Sequence, residues 1–220
     1  EDVGTSVGDM EFIKAETDHV RGLIGKSGDP SPVTAFGVYR GIKGAARHRW
    51  GDDSVAGKTI AIQGCGHVGY YLADYLHNEG AKLIVTDIDQ EKMNRVVSAF
   101  RAQTVAPDAI YGVEADIFAP CALGGIINDK TLPQLRVEII AGAANNQLGE
   151  ERHGDMLDEK GITYAPDYVI NAGGLVNVNA ELQGWTMERA RNKAGEIYDT
   201  ILTVFEIAKE EGMPSYKAAD

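Results

Sequence analysis

The sequence predicts an α/β protein with a doubly wound, mainly parallel sheet and helices on both faces. Short apolar runs at 60–62, 83–85 and 137–141 have the length and composition of buried strands. Stretches with the three-and-four spacing of amphipathic helices lie between and around these runs. Strands that alternate with helices along a chain form mainly parallel sheets. At 220 residues, the chain is long enough for one large domain with appended segments.

The individual elements follow from local patterns. Three-and-four spacing predicts a helix over 33–49, and a continuous apolar stripe predicts a single long helix over 188–211. A segment rich in glycine, serine and proline at 22–32 predicts a loop that could act as a hinge. The remaining predicted elements are helices over 9–20, 89–101 and 150–160, and strands over 116–120, 137–141 and 161–166.

Three glycines lie in the segment Gly64-Cys65-Gly66-His67-Val68-Gly69, directly after the first predicted strand and at the start of a helix. This is the pattern of a Rossmann-like βαβ unit that binds a dinucleotide. Gly64 would permit the tight turn, Gly66 would let the main chain approach the pyrophosphate, and Gly69 would let the helix pack closely. The free amides of the turn, His67 and Val68 included, would face the phosphates.

An acid follows the second predicted strand. Asp87 lies 18 residues after the last glycine, where an acidic side chain would accept hydrogen bonds from the adenosine ribose hydroxyls. A carboxylate there would repel a 2′-phosphate, so the sequence predicts NAD rather than NADP as the cofactor. The alternative is a glycine turn of purely structural use.

The composition restricts the classes of partner. A formal net charge of −12 argues against nucleic acid or an anionic membrane as partner and favours a small molecule. No apolar run approaches the roughly 20 residues that span a bilayer. The two cysteines, Cys65 and Cys121, offer no disulfide framework, which favours a cytoplasmic setting and a packing role for each. The five histidines form no pattern typical of a metal site.

Four further segments carry a family resemblance: 1–5 (EDVGT), 32–35 (PVTA), 141–147 (AGAANNQ) and 164–174 (YAPDYVINAGG). Together with the glycine turn they resemble the glutamate, leucine, phenylalanine and valine dehydrogenase family, most closely its leucine branch, with the tryptophan-specific members also near. The resemblance implies NAD-dependent oxidative deamination of an L-amino acid to a 2-oxo acid and ammonia, by a homo-oligomer. It covers about the last two thirds of such an enzyme, so we expect the N-terminal catalytic domain to be largely absent from this chain.

The resemblance also implies roles for individual residues. Asp2 matches the catalytic carboxylate that moves protons around the amine. Thr34 matches a contact to the nicotinamide carboxamide, Ala122 a main-chain neighbour of the cofactor, and Asn145 an amide that binds both cofactor and substrate. Three further positions match the substrate pocket: Asn171, Leu175 and Val178. Without the resemblance, spacing alone favours a turn or cap role for Asp2, and a local cap for Thr34 and ordinary core packing for Leu175 and Val178 stay open.

The resemblance divides the chain into three parts. Residues 1–25 would be a remnant of the substrate domain with the hinge, 26–186 the NAD-binding domain, and 187–220 a long helix returning towards the substrate domain. The family's catalytic and substrate-anchoring lysines lie upstream of the position of Asp2, so we expect this chain to bind cofactor but hardly to turn over. Two alternatives remain: a catalytically silent dinucleotide-binding module, and another NAD oxidoreductase such as a 2-hydroxy acid dehydrogenase.

Overall fold

A computed structural model describes residues 5–17, 19–20, 23 and 28–220. The six strands are β1 (Thr59–Gln63), β2 (Lys82–Thr86), β3 (Gln103–Thr104), β4 (Ile117–Pro120), β5 (Ile139–Ile140) and β6 (Thr163–Tyr164). The helices are α1 (Val7–Glu16), α2 (Ser31–Trp50), α3 (His67–Asn78), α4 (Gln90–Phe100), α5 (Arg152–Glu159), α6 (Asp167–Ile170), α7 (Gly173–Gln183), α8 (Met187–Gly195), α9 (Ile197–Glu211) and α10 (Ser215–Ala218). Two short 3₁₀ helices lie at Pro107–Gly112 and Leu132–Gln134.

The strands form one parallel sheet in the order β3-β2-β1-β4-β5-β6, which confirms the predicted doubly wound architecture. From β1 the chain adds strands towards one edge of the sheet, and from β4 it adds them towards the other edge. The carboxyl ends of β1 and β4 therefore flank the crevice where ligands bind in open α/β sheets. The centre of the sheet is apolar because it is covered on both faces: Ile60, Ile62, Ile117 and Phe118 are fully buried or nearly so.

The core lies in two layers, one on each face of the sheet. Alternate residues of β1 point to opposite faces: Ile60 and Ile62 pack with α2 and α3, whereas Ala61 packs with Phe118 on the other side. Helix α2 lies against α3 and α9 through side chains such as Ile42 and Ile201, both of which are fully buried. These layers hold the strand ends rigidly, which fixes the loops that follow them.

The predicted helix over 188–211 is wrong as a single helix. It is two helices, α8 and α9, which are separated at Glu196. The Glu196 N–H donates to the Lys193 carbonyl at 3.2 Å, a tighter i−3 bond, and Gly195 directly before it has a low helix propensity. The apolar stripe continues across the break, with Ala194 and Ile201 both buried, so periodicity alone did not reveal it.

Other boundaries also moved. The first helix begins at Val7, before the predicted 9–20 range, because Ser6 caps it: the Asp9 carboxylate accepts hydrogen bonds from the N–H and hydroxyl of Ser6. The helix ends at Glu16, earlier than predicted. The strands predicted over 137–141 and 161–166 shrink to two residues each in β5 and β6. The sequence pattern did not predict β3, because this edge strand has only two residues, both exposed, and no apolar pattern. None of the helices in the described ranges is both long and apolar enough to cross a membrane.

A polar cluster joins α2 to the end of α3. The Tyr39 hydroxyl and the Lys43 ammonium group each donate to the Glu79 carboxylate at 2.6 Å, and the Val55 N–H donates to it at 3.3 Å. Burial alone would raise the pKa of Glu79, but these hydrogen bonds outweigh it and lower that pKa below its ordinary 4.5. The ionised form of Glu79 is therefore part of the folded state.

Replacing Glu79 with glutamine is expected to lower the free energy of unfolding by about 2 kcal/mol at pH 7, because hydrogen bonds to a charged acceptor are lost. Because the folded-state pKa is depressed, this contribution is present above the ordinary pKa and is lost as the pH falls through the folded-state value. Denaturant titrations of both proteins at pH 7 and near pH 3 measure the difference. The matched control is Glu138→Gln, which breaks the exposed pair with Arg49 and should change stability by less than about 0.5 kcal/mol. Equal losses for Glu79→Gln at both pH values would contradict this account.

Candidate functional site

The glycine turn between β1 and α3 is closely packed at its two ends. Gly64 has φ +102°, a conformation that favours glycine, and its N–H donates to the Thr86 carbonyl at 2.8 Å. A Cβ on Gly64 would lie 2.7 Å from the carbonyl oxygen of Cys121. A Cβ on Gly69 would lie only 2.0 Å from the carbonyl oxygen of Gly64. The first turn of α3 can therefore approach the end of β1 only because both positions lack a side chain.

The middle of the same turn is open. A Cβ on Gly66 would meet no atom of the described chain within 4 Å. Gly66 is the N-cap of α3, and no described side chain caps this helix end. The first N–H groups of an α-helix have no partner within the helix, and together with the helix dipole they favour an anion. The Gly66 position, followed by His67 and Val68 in the first turn, thus has space and main-chain donors for a phosphate group.

Asp87 lies beside this turn, immediately after β2. One carboxylate oxygen accepts a hydrogen bond from the Cys65 N–H at 2.6 Å, and the other accepts one from the Asp89 N–H at 2.8 Å. A carboxylate offers about four lone-pair sites, so two main-chain bonds leave capacity for further donors. Asp87 is half-buried and faces both the turn and the start of α4, a structural role that the sequence pattern did not indicate.

One ring nitrogen of His67 contacts a carboxylate. Its Nδ1 lies 3.2 Å from Oδ2 of Asp29, although 64% of the side chain is exposed. The other oxygen of Asp29 accepts a hydrogen bond from the Ser31 N–H at the start of α2. The structure thus gives the imidazole a partner in the segment before α2, and it is the main chain of His67 that belongs to the glycine turn.

The loops after β4 and β5 form the other side of the crevice. Cys121 donates its N–H to the Gln63 carbonyl at 2.7 Å, which brings the exposed Ala122 close to the end of β1. A Cβ on Gly142 would lie 2.3 Å from the Pro120 carbonyl oxygen, so the chain leaving β5 packs directly on the end of β4. Ala122 and the loop after β5 therefore lie at the same edge of the sheet as the glycine turn.

Asn145 and Asn171 are in contact. The Asn171 amide donates to the side-chain oxygen of Asn145 and to the Ala143 carbonyl, the second at 3.1 Å. This bond orients the Asn145 side chain, because its oxygen is taken by Asn171 and its amino group is left to donate elsewhere. Asn145 is exposed, and Asn171 is half-buried at the start of α7. The structure thus brings together two residues that lie 26 positions apart in the sequence.

The start of α7 also contacts the start of α2, which places Thr34 near this pair. A Cβ on Gly173 would lie 2.6 Å from the Val33 carbonyl oxygen, and one on Gly174 would lie 3.0 Å from the Thr34 hydroxyl. The Thr34 hydroxyl donates to the Pro30 carbonyl four residues earlier at 3.0 Å, which is a bond within the helix and not a cap of its end. Its oxygen keeps acceptor capacity for a ligand.

The two apolar positions of α7 differ in exposure. Leu175 is 74% exposed, and Val178, one turn further on, is half-buried. With this exposure Leu175 is not packed in the core of the described chain, and contact with a substrate, its other open role, stays a prediction. Asp2, the predicted catalytic carboxylate, lies outside the described residues.

Neither cysteine has the environment of a reactive nucleophile. Burial, together with the nearby Asp87 carboxylate, raises the pKa of the Cys65 thiol to about 12. Burial likewise raises the pKa of Cys121 to about 12. A thiol that stays protonated at neutral pH is a poor nucleophile, so both residues pack the glycine turn. Among the described residues, no group of three or more histidine, cysteine or acidic side chains could hold a metal ion.

Two surface pockets lie elsewhere, where the strands begin. Both are open to solvent: one of about 600 Å³ is lined by Thr59, Asp116 and Glu138, and another of about 580 Å³ lies beside Tyr164 and Phe205. Thr59 and Asp116 belong to the amino ends of β1 and β4, opposite the glycine turn.

The strand order and the glycine turn at its reversal point define a Rossmann-like α/β domain. The chain belongs to the glutamate/leucine/phenylalanine/valine dehydrogenase family, whose model matches residues 25–90 and 84–220. The family predicted from the sequence segments is thereby confirmed.

Individual relatives agree with this assignment. The chain is 63% identical over 223 residues to the leucine dehydrogenase of Thermoactinomyces intermedius, a match that covers 100% of this chain and 61% of that protein. The crystal structure of L-tryptophan dehydrogenase from Nostoc punctiforme matches with a TM-score of 0.84 and 50% identity, over 86% of this chain and 58% of that one. The hetero-hexameric glutamate dehydrogenase from Thermus thermophilus, Leu bound form, shares only the fold: TM-score 0.75, 17% identity, 99% of this chain and 60% of that one.

Proposed function

We propose that the complete protein oxidises an L-amino acid with NAD, and that this chain supplies the NAD site. The substrate would be leucine or another branched-chain or apolar amino acid. The reaction converts the amino acid, NAD⁺ and water to the 2-oxo acid, ammonium, NADH and a proton. Family membership and 63% identity to a leucine dehydrogenase support the reaction class. The chain spans about 61% of the length of that relative, so the activity is proposed for the whole protein.

The observation that carries the cofactor assignment is the open, uncapped start of α3 beside Asp87. The space at Gly66 fits a pyrophosphate, and the first amides of α3 would donate to it. Asp87 would accept hydrogen bonds from the adenosine ribose with the lone pairs that Cys65 and Asp89 leave free. Bound NAD would supply the hydride acceptor.

The other end of the crevice would hold the nicotinamide and the substrate. Thr34 would contact the carboxamide, and Ala122 would lie along the cofactor. The side-chain NH₂ of Asn145, which Asn171 orients, would donate hydrogen bonds to the cofactor and the substrate. The exposed Leu175 and the half-buried Val178 would contact an apolar substrate side chain from α7. Asp2 would accept and return protons at the substrate nitrogen and at the attacking water.

The domain division and the assembly are part of the same proposal. Residues 26–186 would form the NAD-binding domain, 1–25 the link to the substrate domain, and 187–220 the return towards it. We also propose a homo-oligomer. The six-membered assembly named for the Thermus thermophilus glutamate dehydrogenase is consistent with a multi-subunit enzyme but is a property of that protein.

The test is an assay of the complete protein with a panel of L-amino acids. NADH formation at 340 nm should be fastest with L-leucine, L-isoleucine or L-valine, slower with L-phenylalanine and L-tryptophan, and much slower with NADP in place of NAD. The isolated 220-residue chain should bind NADH in a fluorescence titration and show no turnover. If no amino acid in the panel reduces NAD with the complete protein, the proposed function is wrong. Normal turnover by the isolated chain would contradict the proposed division of labour.

A further inference from the structure

The loop after β5, residues 142–147, contains a polar side chain with no access to solvent. We call this segment the Asn145 loop. Gln147 is 0% exposed. Its Nε2 donates hydrogen bonds to the carbonyls of Gly142 and Ala144, both at 3.0 Å, so one buried amide joins two points of the same loop from within. Buried polar groups need such partners, and the two carbonyls would lose theirs if Gln147 were absent.

The main chain of Gln147 ties the loop to α6. Its N–H donates to one oxygen of the buried Asp167 at 2.8 Å, and the other oxygen accepts the Tyr168 N–H at 2.8 Å. At the far end of α6, Asn171 bonds Ala143 and Asn145. The Asn145 loop and α6 are thus joined at two places, once through Gln147 and once through Asn171.

Two further features describe how tightly the loop turns and packs. Asn146 has φ +51°, a left-handed conformation that asparagine tolerates better than most other non-glycine residues and that turns the chain sharply between Asn145 and Gln147. On the outer side, a Cβ on Gly124 would lie 2.2 Å from the Asn145 carbonyl oxygen, so the neighbouring main chain packs directly against the loop. Gln147 supports the loop from the inner side, and the chain at Gly124 limits it from the outer side.

We propose that Gln147 is a positioning residue that holds Asn145 at the distance and angle required for hydride transfer. Gln147 would touch neither cofactor nor substrate and would act only through the Asn145 loop. This inference rests on the proposed function, because it assigns Asn145 to the cofactor and the substrate. Small displacements of a positioned group can lower a reaction rate by about 100-fold. Gln147 lies two positions after Asn145 and bonds the carbonyl of Ala144, the residue before Asn145, so its loss would release both sides of Asn145.

The test compares two glutamine-to-methionine variants of the complete protein. Gln147→Met keeps the approximate volume and removes both donors. The matched control is Gln134→Met, which removes a similar side-chain bond to the Lys130 carbonyl at an exposed site. With L-leucine as substrate, Gln147→Met should lower kcat by about 30- to 100-fold. The deuterium isotope effect with α-deuterated L-leucine should rise. The Kd for NADH should rise far less than kcat falls, by no more than about fivefold, because the glycine turn with the proposed pyrophosphate contacts is untouched. Gln134→Met should match the wild type in all three measurements.

Several outcomes would overturn the proposal. A kcat within about threefold of wild type would do so, as would a parallel loss of kcat and NADH affinity that tracks a lower melting temperature. Gln147→Asn, which is too short to reach both carbonyls, is the second variant if the methionine does not fold. Failure of both to fold would assign Gln147 to the fold as a whole and contradict a local role.

Hydrogen exchange separates this inference from the proposed function. In Gln147→Met, amides of the Asn145 loop should exchange faster while those of β1 and α3 keep their protection. If the wild-type protein turns over no amino acid yet shows this local change, the proposed function fails and the anchoring of the loop stands. If the protein is active and the loop amides of the variant keep wild-type protection, the positioning role fails and the function stands.

Discussion

Gly69→Ala is expected to lower the free energy of unfolding by about 3 kcal/mol and to abolish measurable NADH binding. The added Cβ would lie 2.0 Å from the carbonyl oxygen of Gly64, a main-chain atom that cannot rotate away. To remove this clash, α3 must shift relative to the end of β1. Overpacking in a well-packed region costs about 1–3 kcal/mol of stability, occasionally more. The same shift would displace the amides at Gly66 that the proposed pyrophosphate contacts need.

The measurement is a denaturant titration of the complete protein together with an NADH fluorescence titration. Gly112→Ala is the matched control, because a Cβ there would meet no described atom within 4 Å and the residue lies in an exposed 3₁₀ helix. It should change stability by less than about 1 kcal/mol and leave NADH binding unchanged. Wild-type stability and NADH affinity in Gly69→Ala would show that the turn is not closely packed as described.

Asp87→Ala is expected to weaken NADH binding by at least about tenfold and to reduce the discrimination against NADPH. The carboxylate accepts from the Cys65 and Asp89 amides, and in the proposed complex it also binds the ribose. Removing the carboxylate leaves two main-chain donors without their acceptor, and each one that water does not reach lowers the free energy of unfolding by about 1–3 kcal/mol. It also removes the charge that would repel a 2′-phosphate. The loss of cofactor affinity should therefore exceed that expected from a local change in stability alone.

A neighbouring acid provides the control for Asp87. Asp89 also accepts two main-chain N–H groups, those of Glu91 and Lys92, as the N-cap of α4. Asp89→Ala should cost about 1 kcal/mol of stability for the lost cap and leave both NADH affinity and the preference for NADH unchanged. If Asp87→Ala and Asp89→Ala have the same effects on NADH and NADPH binding, Asp87 has only a structural role.

The sequence predicted the glycine turn and its position well because every determinant is local. The strand, the three glycines, the helix and Asp87 fall within 29 consecutive residues, 59–87, and each has its own steric or electrostatic signature. The parallel sheet was also predictable, since buried strands alternate with helices. Periodicity could not detect β3 or the break at Glu196: the first has no buried face, and the second does not interrupt the apolar stripe.

The second half of the site depends on contacts between distant residues. Thr34, Asn145 and Asn171 were singled out through the family resemblance, because no spacing rule brings residues of α2, a loop and α7 together. Gln147 and Asp167 lie in the segments that carry the resemblance, but neither was given a role of its own. A buried amide that bonds its own loop has no periodic pattern, and its partner lies 20 residues away. No local signal separates them from their neighbours, because Gln147 follows two exposed asparagines and Asp167 precedes the exposed Tyr168.

The most direct test of the central claim, that main chain at Gly66 receives the pyrophosphate of NAD, is the NADH affinity of Gly66→Ala in the complete protein. A Cβ there would enter open space, so folding should be unaffected and the melting temperature should stay within about 2 °C of wild type. The account predicts that the Kd for NADH rises at least about tenfold, because the methyl group would occupy the place of the phosphate oxygens. An unchanged Kd with an intact fold would contradict it.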